Sequence, residues 1–239
     1  MDAILIKSRY KVTQVLYVEQ DYAALLAVDI ESRDKSEYLL NVYEGALAKR
    51  YAGVYSSFKH CPEYVSMFLA DSALVAVFKY KRAQDIDDVF FKGAAIDWKT
   101  RLQYAQLLFH LALSVSDFPP ELACAAFLAR NQKILSNDMK LFINYIASPI
   151  EGAGSRELIF LLTDSIRKVL IRRFYMSRLE RNLIAQIESG ALASVTTIYS
   201  AWQEAYDKLT KEYEKVWGKS ALSRFMHFAK SRIGGGMKR

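Results

Sequence analysis

The chain has 239 residues, 52% of them hydrophobic and 25% charged, with only ten glycines and four prolines; that excludes a disordered or fibrous protein and supplies core material for one large domain or two small ones. The net charge of +7 is unevenly placed, because nine Lys/Arg stand against two Glu from Lys208 onward. Residues 1–207 therefore balance, and all the surplus positive charge lies in the last stretch.

The opening MDAILIKSRYKV has no apolar segment of signal-peptide length, and no run of about 18 apolar residues occurs, so the chain reads as cytosolic and non-spanning. SRYKVTQVLYV (8–18) and YAALLAVDI (22–30) are β-rich runs around EQD and predict a hairpin. A polar turn, ESRDKSE (31–37), leads into a third strand, YLLNVYE (38–44), which carries Asn41 among apolar neighbours. Residues 45–60 predict a helix, with Leu47, Tyr51, Val54, Tyr55 and Phe58 three and four apart. EYVSMFL and ALVAVFKY (73–80) predict two more strands.

Beyond residue 83 the pattern turns helical. DIDDVFF (85–91) reads as a short helix and residues 97–115 as a long one opening on an Asp cap, with Pro119-Pro120 stopping any continuation. KILSNDMKLFINYI (133–146) reads as a small hairpin turning at Ser136–Asp138. Helices follow at 156–175, 177–190 and 194–217; the last lines up Tyr199, Trp202, Tyr206, Leu209, Tyr213 and Val216 in one apolar stripe. Two cysteines, Cys61 and Cys124, and three scattered histidines do not form a zinc pattern, so no metal site is expected and the thiols read as reduced and buried.

Five strands with one helix after the third, a short connector near 79–82, then helices with one inserted hairpin is not the alternation of a doubly wound sheet. The order resembles that of protein kinases. YLLNVYE is similar to the third kinase strand and puts Asn41 at its lysine; ALVAVFKYKRAQDIDDVF looks like the fifth strand, hinge and next helix. FPPELACAAFLARNQKIL is similar to the catalytic-loop region, with Asn131 near the metal-binding asparagine, and KLFINYI to the strand ending in D-F-G, with Asn144, Tyr145 and Ile146 in those places. The resemblance spans residues 8–175 and implies an α+β, bilobal protein-kinase-like fold: a β-rich N-lobe over 1–82, a helical C-lobe over 83–217, and a basic tail over 218–239.

Phosphoryl transfer needs a lysine on the phosphates, a carboxylate on Mg²⁺ and a carboxylate to accept the hydroxyl proton. Asn41 carries no cation, Asn144 no charge, Glu121 is the one acid between Pro119 and Asn131, and YVEQDYAAL (17–25) lacks a glycine for the phosphate turn. A pseudokinase with no catalytic residue, no cofactor and no enzymatic activity is the expectation, with Asn41, Asn131 and Asn144 as degenerate kinase positions. The cytosolic domain of the EssB/YukC family of bacterial type VII secretion systems resembles this chain in length, order and basic end. That resemblance implies a scaffold for other proteins, secretion-machinery components among them, at the cytoplasmic face of the cell membrane, with a membrane span following the tail.

The tail itself, SALSRFMHFAKSRIGGGMKR, offers Lys219, Arg224, Phe225, Phe228, Lys230 and Arg232 as membrane-surface candidates. A residual nucleotide-binding kinase-like enzyme is the alternative function, and a nucleic-acid binder a second one suggested by the pI of about 9.2. Nucleic acid is not expected as a partner, because the basic residues of the last helix alternate with its aromatic stripe. Self-association through that stripe is the further option.

Overall fold

The structure is a computed structural model, and it describes residues 4–33, 35–58, 60–91, 93–135, 140–171, 176–216 and 218–234. It divides into two compact units: Met1–Val89 with Asp117–Leu158, and Phe90–Ser116 with Ile159–Arg239.

The first unit is built on β1 (Leu5–Ile6), β2 (Tyr10–Glu19), β3 (Tyr22–Asp29), β4 (Glu37–Tyr43), α1 (Gly45–Ser57), β5 (Tyr64–Ala70) and β6 (Ala73–Lys79). The strands form one antiparallel sheet in the order β1-β2-β3-β4-β6-β5. Strands β2 to β6 and the helix fall where the period-two and period-3.6 patterns predict them; the two-residue β1 is an addition at the sheet edge. Side chains alternate across the sheet, and here both faces are covered. One face packs Tyr10, Ala27, Leu40, Val75 and Val77. The other carries Leu39, Asn41 and Tyr43 of β4 between Tyr22 and Ala24 of β3 and Leu74 and Ala76 of β6, all buried.

Helix α1 covers that second face with aromatic rings. Tyr51 stacks on Tyr43 at 4.0 Å and Tyr55 lies 6.0 Å from the same ring. The Tyr43 hydroxyl donates to the Ala147 carbonyl at 2.7 Å and so accepts from Tyr55 at 2.8 Å.

Further elements complete this unit: β7 (Gln84–Asp85), α2 (Ile86–Val89), and, after the insertion, α4 (Pro120–Phe127) and the β8 (Gln132–Leu135) and β9 (Lys140–Ile143) hairpin, with β7, β8 and β9 in a second antiparallel sheet. The hairpin matches the sequence pattern; its predicted SND turn lies outside the described residues. Helix α4 has no counterpart among the predicted elements. Pro120 sits at its first turn, where the missing N–H costs nothing, so the proline pair that stops one helix opens another.

In the second unit α3 (Trp98–Ser114) starts at Asp97, whose carboxylate accepts from the Thr100 N–H at 2.8 Å, as the cap predicts. The other helices are α5 (Ser155–Val169, which crosses from the first unit), α6 (Arg178–Glu188), α7 (Val195–Glu214) and α8 (Ala221–Gly234). Ser194 and Thr197 form a capping box at α7. The predicted stripe of α7 packs on α3: Trp202, fully buried, lies 4.8 Å from Phe109 and gives its indole N–H to Gln106, while Tyr213 lies 4.6 Å from Trp98.

Candidate functional site: an asparagine-stapled segment

Residues 144–147 are buried, yet they lie in no strand, and the Ile146 N–H turns back to the Asn144 carbonyl at 2.8 Å. Their backbone groups must find partners elsewhere, since a buried unpaired N–H or C=O costs about as much as a lost hydrogen bond. Asn41 and Asn131 supply most of those of 145–147, while the Asn144 side chain serves Lys81; all three asparagines are completely buried.

Asn41 stands on β4 opposite Ala24 and Ala76. Two alanine neighbours leave room above the sheet for another segment to approach. Asn41 Nδ2 donates to the Tyr145 carbonyl at 2.9 Å, and its Oδ1 accepts from the Ala147 N–H at 2.9 Å and from the Tyr22 hydroxyl at 2.7 Å. Asn131 serves the residue between: Nδ2 donates to Ile146 O at 3.0 Å and to Ala125 O at 2.8 Å, and Oδ1 accepts from the Ile146 N–H at 3.2 Å. Asn144 faces the other way. Its Nδ2 donates to Lys81 O at 2.9 Å and its Oδ1 accepts from the Lys81 N–H at 3.1 Å.

An amide side chain has one donor end and one acceptor end, the same pair a peptide group offers. Asn41 and Asn131 therefore stand in for missing strand neighbours, Asn41 bonding to 145 and 147 and Asn131 to 146. The three positions singled out in the sequence come together in one place. Tyr145 fills the space beside them, buried, stacked at 5.3 Å on Phe78 and edge-on to Phe58 at 6.4 Å.

Charges near this segment are placed differently from the kinase pattern. Arg50 of α1 pairs with Glu121 at the start of α4 at 2.7 Å, so the helix brings the cation and the loop region the acid. Arg130 lies with its guanidinium 4.5 Å over the Tyr17 ring, donates to Ser148, and keeps a buried Nε with no partner. Sequence reasoning missed Arg130 and Tyr22. Arg130 adjoins Asn131 on the chain, and that adjacency was the available signal.

Burial pushes the Tyr22, Tyr43, Tyr55 and Tyr145 hydroxyls well above their usual range and holds them neutral, able to donate. It also raises the half-buried Cys61 thiol to about 12, and the buried Cys124 upward as well, so neither is a thiolate nucleophile near neutral pH. Among the described residues, no three His, Cys, Asp or Glu side chains gather as a metal site.

Solved structures of similar fold exist. The Mycobacterium tuberculosis PknI kinase domain matches with a TM-score of 0.57 at 10% identity, over 85% of this chain and 98% of that one. This is a protein-kinase-like fold. Rad53 residues 1–466 in complex with AMP-PNP match the kinase-like chain with a TM-score of 0.57 at 9% identity, over 83% of this chain and 64% of that one. A double mutant of the PknI kinase domain matches with a TM-score of 0.54 at 12% identity, over 88% of this chain and 98% of that one. No family model matches the chain, and no curated protein does.

These neighbours correct one expectation. The missing lysine and carboxylates led to the expectation of a chain without enzymatic activity; the structures it resembles are protein-kinase domains, and that expectation does not stand. The motif positions themselves carry no charge; Arg130, next to Asn131 on the chain, does.

The tail candidates fall on or beside α8. Lys219 is exposed just ahead of it, and Arg224 and Phe225 are half-buried. Phe228 is turned inward, 4% exposed and 5.4 Å from the Tyr213 ring. Lys230 and Arg232 fall within the helix, beyond the described side chains.

Proposed function

We propose that this kinase-fold chain acts as a protein-interaction scaffold, the cytosolic part of a membrane-anchored secretion-system component, as its resemblance to the EssB/YukC family implies. The observation that supports the reading is the stapled segment. Where a kinase keeps groups that grip nucleotide and metal, Asn41, Asn131 and Asn144 spend every amide end on backbone. Such a segment presents fixed surfaces, which is what a docking body needs. In a bacterium carrying the system, deleting the gene is expected to stop secretion, and the chain with Arg130→Met to restore it. Undiminished secretion after deletion overturns the reading.

A second reading, a residual nucleotide-binding enzyme, is favoured by Arg130, a cation with a buried unpartnered Nε beside the β2–β3 turn. The Rad53 structure that this fold matches holds AMP-PNP. If the chain binds it too, millimolar Mg²⁺-AMP-PNP raises the melting temperature, because a ligand held by the native state stabilises it. Arg130→Met then removes the shift. An unmoved midpoint for the unaltered chain overturns this second reading.

A further inference from the structure

We infer that α8 lies on an anionic lipid leaflet through Leu222 and Met226, while Phe228 on the opposite side ties the helix to α7. The inference rests on the membrane-face reading above and assigns the contact. Leu222 and Met226 are four residues apart, hence on one face of the helix, and are 72% and 47% exposed. Phe228, a third of a turn or more away from both, is the inward group, seated on Tyr213. The helix thus has two apolar edges, one satisfied and one open.

Charge selects the occupant of the open edge. Leu222 and Met226 stand in the stretch after Lys208 where nine Lys/Arg meet two Glu, while the rest of the chain is neutral. Lys219, exposed, precedes the helix. A cationic helix with an apolar edge fits an interface of anionic headgroups over acyl chains. The contact is lateral: among the described residues, no helix is long and apolar enough to cross a membrane. The sequence pattern places Phe228 among the lipid-facing residues; in this arrangement Leu222 and Met226 take that place.

Sedimentation of the full chain with phosphatidylserine-containing and with phosphatidylcholine-only vesicles tests this. Binding is expected only with the anionic lipid and to weaken as salt rises. The double variant Leu222→Gln, Met226→Gln is expected to bind at least about tenfold more weakly, since removing even one large apolar side chain from the lipid is worth that much. Its melting temperature should match the parent's, because both positions are exposed. Equal binding by the double variant, equal binding to neutral lipid, or no vesicle binding beside salt-sensitive binding of duplex DNA or self-association overturns the inference. The scaffold reading fails by a different result, secretion that survives gene deletion.

Discussion

Asn41 illustrates how one amide can replace a whole strand neighbour. Its three partners, the Tyr22 hydroxyl, the Tyr145 carbonyl and the Ala147 N–H, are all buried, so removing the amide leaves three polar groups unpaired. At about 1–3 kcal/mol for each stranded group, Asn41→Ala is expected to cost about 3 kcal/mol or more in urea unfolding. A loss under about 1 kcal/mol would mean the segment finds other partners. Asn41→Lys, which restores the kinase residue type, is expected to destabilise as well. It removes the acceptor for two donors and places a cation at a fully buried point.

At the scale of elements, α7 is held by the stripe visible in the sequence, now with named partners. Trp202 is fully buried against Phe109 of α3 and its indole N–H is satisfied by Gln106. Trp202→Ala is expected to cost roughly 3–5 kcal/mol, the range for emptying a large aromatic site. Gln106→Leu separates the two contributions, since it keeps the ring and removes the indole's acceptor, along with exposed bonds to His110 and Gln203, and is expected to cost about 1 kcal/mol. Equal losses for the two variants would mean that the hydrogen bond, not the ring, holds the helix. Helix α4 makes the opposite case: Leu122 through Phe127 are all buried, so no polar face marks its period.

For the whole molecule, two ion pairs contribute to the acid side of stability. The Arg9 guanidinium, donating to Asp29 at 3.0 Å through Nε, holds that carboxyl below its ordinary value, and Arg82 does the same for Glu37. A carboxyl with a depressed folded-state pKa contributes stability that is full above its unfolded value and disappears as pH falls through the folded one. Stability is therefore expected to be flat from neutral pH down to about 5 and to fall below about pH 4, where unfolded Asp and Glu take up protons first. Melting temperature against pH checks it. Arg9→Met with Arg82→Met is expected to shallow the fall; an unchanged acid limb would assign it to other carboxylates. The effect is modest, because both arginines are largely exposed and solvent screens them.

The amino-acid sequence alone determined the order of β2 to β6 with α1 and of the long helices, the Asp97 cap, the aromatic stripe of α7 and the kinase-like succession of strands and helices. Those features are local: a period of two or 3.6 and a capping residue act over a few positions, and the hydrophobic effect needs only the pattern. It also marked Asn41 and Asn144 as places where a charge is absent, and Asn131 as a third degenerate kinase position. Only the tertiary structure decided what the three amides do, because the partners of Asn41 at Tyr145 and Ala147 lie 104 and 106 residues along the chain. The same holds for the two edges of α8, where a helical period cannot say which apolar residue meets Tyr213 and which is left open. Hydrogen bonds and packing across such separations follow from where the fold closes, and no short-range pattern carries that information.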